Sequence, residues 1–206
     1  MKRAVISYAE GEEHLKLAAL TWPLMEAYAK GVGATWHPYT EVPTVDRPPA
    51  WKKLVCMAHA LSIFDEVLWL DADVVVAETE SIFEHFPAGK AHALVEHHTD
   101  EGDVPNTGVW ICRREMVPWI TVAAMNDACI NHKWWEQAAI LHLMGYEMAH
   151  NKCIRVRDEP LLRQTHWLEE RWNFCYFSKC EEVSFIHPCG CVGEHRFSAI
   201  KNMVNP

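Results

Sequence analysis

Phe64-Asp65-Glu66-Val67-Leu68-Trp69-Leu70-Asp71-Ala72-Asp73 is the stretch from which the rest of this chain is read. Four apolar residues, Val67 to Leu70, run into two carboxylates spaced i, i+2. A short continuous apolar run is the pattern of a buried strand. On an extended chain residues two apart point the same way, so Asp71 and Asp73 at the strand end converge on one point outside a sheet. Two like charges that close repel unless something neutralises them. A hard divalent cation does so, and Mn²⁺ and Mg²⁺ favour carboxylate oxygens together with phosphate oxygens. Aspartate is also common in ordinary turns. Here Val74-Val75-Val76 follow at once, which predicts that the extended chain continues.

Arg3 to Tyr8 reads as a second buried strand. From Glu12 to Lys30 the apolar residues Leu15, Ala18, Ala19, Trp22, Met25 and Ala29 keep a helical period, which Gly31 and Gly33 end. Ala34 to Tyr39 is a strand candidate, and Glu41 to Pro49, with three prolines, a loop. Trp51, Leu54, Val55, Ala58 and Leu61 form the next helical stripe. Strand, helix, strand, helix, strand predicts an α/β fold: a mostly parallel sheet with helices on both faces. Ligands bind such sheets outside the carboxyl ends of the strands. That rule selects Ser7 and Tyr8 after the first strand and Asp71 and Asp73 after the third. Further strands are expected at Ala91 to Val95, Asn106 to Cys112 and near Val183 to Ile186. Helices are expected around Glu115 to Ala128 and Trp134 to Gly145. No composition break divides residues 1–206, so a single domain is expected.

The chain has 206 residues, half of them apolar and 23% charged, which excludes a disordered or collagen-like chain. Nineteen Lys and Arg against 28 Asp and Glu give a net charge of −9. Such a chain repels a phosphate backbone, so no nucleic-acid partner is expected. A phosphate-bearing ligand has to be met locally, by a metal or by a few placed lysines. Lys52 and Lys53 fall in the first turn of a helix, where cations oppose the helix dipole and anions are welcome. They read either as a local nucleotide site or as solvated surface.

The positive start is followed by Glu10, Glu12 and Glu13 rather than by an apolar stretch, and no apolar run is long enough to span a bilayer. A cytoplasmic protein without a transmembrane segment is expected. Of eight cysteines, Cys175-x4-Cys180 and Cys189-x-Cys191 crowd late in the chain. They are candidate zinc ligands, but the spacing matches no common knuckle, and free buried thiols are the expectation.

Three later groups carry polar chemistry. Asn106-Thr107-Gly108 is expected at a strand start, where an amide and a hydroxyl suit a sugar and glycine permits close approach; it is also ordinary loop chemistry. Trp134-Trp135-Glu136-Gln137 opens a helix and suits sugar stacking with hydrogen bonding, or simple capping. His187 follows a short apolar strand and is either a third metal ligand or a satisfied core histidine.

In this order the residues resemble a nucleotide-sugar-dependent glycosyltransferase of the GT-A fold. The likeness is greatest to the retaining glycogenin and lipopolysaccharide-galactosyltransferase family, family 8, with family 34 a near second. It rests on Val5-Ile6-Ser7-Tyr8, Lys52/Lys53, Leu68 to Asp73, Asn106-Thr107-Gly108-Val109, Glu136-Gln137, Trp172-Asn173 and His187-x-x-Gly190.

The resemblance implies an enzyme that moves a sugar from a nucleotide sugar, read as UDP-linked, to the hydroxyl of a glycan, lipid or protein acceptor. Ser7, Tyr8, Lys52, Lys53, Asp71 and Ala72 would meet the nucleotide. Asn106, Thr107, Gly108, Glu136 and Gln137 would meet the sugar. Asp71, Asp73 and His187 would hold Mn²⁺ or Mg²⁺, and Glu136, Gln137 and Asp73 would be catalytic. Two departures stand out: Glu136 replaces the usual aspartate, and Gly193 takes the place of the lysine in H-x-x-G-x-x-K. Two rivals use the same residues. One is a haloacid-dehalogenase-type phosphatase, with Asp158-Glu159 completing its metal site. The other is a nucleotide-sugar-binding protein without turnover.

Overall fold

The computed structural model describes residues 1–43, 46–100, 102–149, 152–189 and 193–204. In chain order they form β1 (Arg3–Tyr8), α1 (Gly11–Gly31), β2 (Thr35–Tyr39), α2 (Lys52–Ile63), β3 (Glu66–Leu70) and β4 (Val75–Val76). There follow β5 (His92–Thr99), β6 (Gly102–Arg113), α3 (Val117–Ala124), α4 (Trp135–Leu143), β7 (Tyr146–Ala149) and β8 (Lys152–Arg155). The chain ends with α5 (Pro160–Arg163), β9 (Thr165–Leu168), β10 (Phe185–Ile186) and α6 (Gly193–Val204).

The main sheet has eight strands in the order β2-β1-β3-β6-β5-β9, with β8 beside β6 and β7 beside β8. From the pairing directions, β6 and β8 run against the other six strands, so the sheet is mostly parallel. Strand β3 is central and buried at all five positions. Its alternation divides the core. Val67 and Trp69, with Ala4 and Ile6, pack under α2, α3 and α4. Leu68 and Leu70, with Val5, face the side covered by α1. Glu66 at the start of β3 is 1% exposed and held between Arg3 at 3.0 Å and Arg113 at 2.7 Å.

The structure corrects several expectations. Leu15 and Ala19 lie on the outer face of α1, and the buried stripe is Leu17, Ala18, Thr21, Met25, Tyr28 and Ala29. The chain does turn after Asp71: the Val74 N–H donates to the Asp71 carbonyl at 2.9 Å, around Ala72 and Asp73. Of the three valines that suggested continuous strand, Val75 and Val76 instead form β4, which leaves the main sheet and pairs antiparallel with β10. Asn106-Thr107-Gly108 sits inside β6, not at its start. The register with β5 jumps from Leu94↔Trp110 to Val95↔Asn106, so Thr107 to Val109 bulge away from β5. Strands β7, β8 and β9 carried too little periodicity to be expected.

A buried polar chain pins the far side of the sheet. Trp110 Nε1 donates to His92 Nδ1 at 3.0 Å, so His92 Nε2 carries the proton and donates to Thr165 Oγ1 at 2.8 Å. That hydroxyl in turn donates to the Leu161 carbonyl. Burial pushes the His92 imidazole down from 6.5 to about 3. The unfolded chain therefore takes up a proton that the folded chain refuses. The stability His92 confers is complete above pH 6.5 and falls as pH drops from 6.5 toward 3. Urea unfolding should show His92→Gln losing about 2 kcal/mol less than wild type between pH 7 and pH 5. Parallel losses would refute the assignment.

Candidate active site

Everything converges on the carboxyl end of β3. Because β6 runs antiparallel to β3, with Leu70 opposite Val109, Gly108 lies just beyond the strand end. Its carbonyl accepts from the Asp71 N–H at 2.8 Å. The pairing of β4 with β10 sets Val75 against Ile186, which brings His187 alongside the turn. His187 Nε2 then stands 3.8 Å from Asp71 Oδ2 and 3.6 Å from Asp73 Oδ1. One ligand atom from each of the three residues falls within 4.8 Å of the others.

Hydrogen bonding orients this imidazole from a fixed backbone donor. The Gly108 N–H donates to Asn106 Oδ1 at 2.8 Å, which identifies that atom as oxygen. Asn173 Nδ2 donates to the same oxygen at 2.9 Å, so Asn173 Oδ1 is the atom facing His187 Nδ1 at 3.0 Å. Nδ1 therefore carries a proton, and Nε2 is the ring nitrogen directed at the two carboxylates. A ring nitrogen that faces two carboxylates while the other ring nitrogen is held by an amide oxygen suits a cation. The donor set of two carboxylates and one such imidazole fits a divalent ion. Gly108 is required beside it, since a Cβ there would stand 2.1 Å from His187 Cε1.

Behind the turn lies a second charged group. Lys53, 6% exposed, is 3.0 Å from Asp71 Oδ1 and 2.9 Å from Glu136 Oε1, and it donates to the Thr107 carbonyl at 3.2 Å. Burial pulls the Lys53 ammonium down, but Asp71 and Glu136 outweigh it and the net shift is upward. Burial raises Asp71 as well, yet Lys53, His187 and the Trp69 indole, which donates at 2.6 Å, hold it below the usual carboxylate range. For Glu136 burial wins over Lys53, and its carboxyl is raised. The ammonium lowers both carboxyl groups, and they end apart because His187 and the Trp69 indole also favour the Asp71 carboxylate, whereas the Asp71 charge raises Glu136.

Gln137 is placed by its Oε1, which accepts from the Thr107 N–H at 3.1 Å. Between it and Trp134, Trp135 is 46% exposed and has φ +43°, a conformation that side chains rarely adopt. It is the residue immediately before Glu136, which is turned into the core.

Other expected residues lie apart. Ser7 is fully buried, with its hydroxyl unpaired. Tyr8 stacks near Lys52, whose Nζ is 5.7 Å from the ring, and Lys52 pairs with Glu10 at 2.5 Å. Both lysines of the helix start are therefore matched by carboxylates. Ala72 is held through its carbonyl, which accepts from Thr21 Oγ1 at 2.6 Å. Gly190 and Cys191 lie outside the described residues. Gly193 opens α6 at φ +54°, a conformation that disfavours a lysine there, and α6 instead sets Arg196 Nη1 3.3 Å from Asp73 Oδ2. Arg196 and His195 were the sequence's candidates to replace that lysine; sequence reasoning missed the parts played by Asn173 and Trp69, which only tertiary contacts reveal. Asp158 and Glu159 pair with Arg163 and Arg157 and are not in the acidic cluster, so the phosphatase reading is not favoured.

This arrangement of sheet and helices is the GT-A fold seen in glycosyltransferases. Among solved structures, the chain is similar to a glycosyltransferase involved in the glycosylation of the major capsid of PBCV-1. The TM-score is 0.75 at 17% identity, over 98% of this chain and 100% of that one. It is also similar to the glycosyltransferase GlyE of Streptococcus pneumoniae, with TM-score 0.54 and 15% identity, over 98% of this chain but 63% of that one. The galactosyltransferase LgtC, solved with donor and acceptor sugar analogs, gives TM-score 0.53 and 12% identity, over 98% and 96%. No family model matches the chain, and no curated protein matches its sequence. No helix among the described residues is long and apolar enough to cross a membrane.

Proposed function

We propose that this chain, as one domain over residues 1–206, transfers a sugar from a nucleoside-diphosphate sugar to an acceptor hydroxyl. The observation that carries the reading is the D-x-D turn with His187 oriented so that its Nε2 faces both carboxylates. Asp71, Asp73 and His187 would hold Mn²⁺ or Mg²⁺. A cation there supplies positive charge that offsets the charge developing on the departing diphosphate.

Tyr8 and Lys52 lie beside the end of β1, where the nucleoside, read as uridine, would bind. Arg196 is the cation that α6 offers to the phosphates in place of the missing lysine. Thr107 and Gly108 line the approach of the sugar, and Asn106 acts through the orientation of His187. Glu136 and Gln137, fixed by Lys53 and Thr107, would stabilise the cationic sugar carbon from the face opposite the leaving group. The acceptor hydroxyl would then pass its proton to the departing phosphate oxygen, no side-chain base being required, and the product would retain configuration as in family 8. The exposed Trp135 indole offers the acceptor a stacking face.

The test is thermal stabilisation by UDP, GDP and their sugars, each with Mn²⁺ and with EDTA. A ligand at a hundred times its dissociation constant adds about 2.7 kcal/mol, a rise of roughly 5–10 °C for a chain of this size. A metal-dependent rise with one nucleotide family is expected. No rise with any nucleotide would overturn the reading, and binding without donor consumption for every acceptor would leave a binding protein.

A further inference from the structure

Two thiols lie next to the site and share His187 with it: Cys175, His187 and Cys189 each place one ligand atom within 4.8 Å of the others. Cys189 Sγ is 2.7 Å from Cys175 Sγ. Unbonded heavy atoms pack at about 3.5–4.0 Å, and two thiolates sharing a tetrahedral zinc stand about 3.8 Å apart, given bonds of about 2.3 Å. The observed separation is nearer to a sulfur–sulfur bond, at about 2.05 Å, than to either. Cys175 is two residues beyond Asn173, and Cys189 is two residues beyond His187. The two segments are already joined, for the His187 N–H donates to the Phe174 carbonyl at 2.8 Å and Phe174 bridges Ile186. Their side chains meet where His187 Nδ1 donates to Asn173. Cys175 is fully buried, whereas Cys189 is partly exposed. One thiol is reachable from solvent and the other is placed to resolve it.

We propose that Cys175 and Cys189 form a reversible disulfide that ties the His187 segment to the Asn173 segment. The oxidant is a low-molecular-weight disulfide of the glutathione class. Cys189 Sγ bonds to one sulfur of the oxidant and displaces the other, which leaves as a thiol with the proton that Cys189 loses. Cys175 Sγ then bonds to Cys189 Sγ and displaces the second small thiol, which takes the proton from Cys175. Two protein thiols are oxidised by two electrons, and one small disulfide is reduced to two thiols. The bond closes the 175–189 loop with His187 inside it. The pairing requires neither donor nor metal, so it goes beyond the transferase reading and does not fall with it.

The test exposes the reduced protein to glutathione buffers of increasing oxidised fraction, alkylates the free thiols and maps the peptides. The expected product is a peptide pair linked through Cys175 and Cys189, two hydrogens lighter than the reduced pair. The oxidised protein should melt about 5–10 °C above the reduced one. That rise should be absent in Cys175→Ser and in Cys189→Ser. If either variant fails to fold, the map of the wild-type protein decides. Alkylation of both residues after oxidation would overturn the proposal. So would linkage of either one to Cys180 or Cys191, or a chelator-removable zinc that protects both thiols.

Discussion

Asp73→Asn is expected to abolish metal-dependent turnover while leaving the fold intact. Asp73 is 8% exposed and supplies one oxygen toward His187 and the other toward Arg196. The amide keeps the shape of the turn but removes half of the carboxylate charge of the proposed ion site. Loss of the bound cation forfeits several kcal/mol of transition-state stabilisation, or about a thousandfold in rate for 4 kcal/mol. Asp71→Asn should lose turnover equally but also stability, because Asp71 is one of the two carboxylates that balance Lys53. That added cost is about 1–3 kcal/mol. Donor consumption with and without Mn²⁺, a Mn²⁺ titration and urea unfolding separate the two variants. Full activity in either one would remove the metal site.

The largest stability effect is expected at Lys53. Lys53→Met leaves Glu136, 4% exposed, and Asp71 facing each other with no cation between them. Removing one partner of a buried ion pair costs about 3–5 kcal/mol, because the charge left behind is uncompensated. Glu136 is already raised by burial, and it would take up a proton at still higher pH once Lys53 is gone. The double variant Lys53→Met with Glu136→Leu removes both buried partners. Asp71, whose side chain is 29% exposed, can then be hydrated. Most of the stability should return, and turnover should not. A single-variant loss below about 1 kcal/mol, or no recovery in the double variant, would show that Lys53 is not the counter-ion of this site.

Much of this was legible in the chain itself. The Val67 to Leu70 run against Asp71 and Asp73 sufficed to place an acidic pair at the end of a buried strand. Uninterrupted apolar residues are buried on both faces of a sheet, and the first charges must emerge at its edge. The helical periods of α1 and α2 were readable for the same reason, although in α1 Ala18, Met25 and Ala29 face inward while Leu15 and Ala19 do not. Glu136 was visible as a carboxylate in a first helical turn, but nothing local distinguished a cap from a residue turned inward.

The three valines after Asp73 show where local reading fails. Apolar residues state that a segment is buried, not which partner buries it. The partner here, β10, lies more than a hundred residues later. The reversal of β6, the bulge at Thr107 to Val109 and the approach of His187 likewise depend on pairings distant in sequence. The residue types of the site, the sign of its charge and its place at the end of a strand were determined by the sequence alone. Which atoms face which was decided by the tertiary structure: the proton on His187 Nδ1, the sharing of Lys53 between two carboxylates, and the meeting of Cys175 with Cys189. Hydrogen bonds and ion pairs act over a few ångströms, and only the folded chain brings residues so far apart in sequence within that reach.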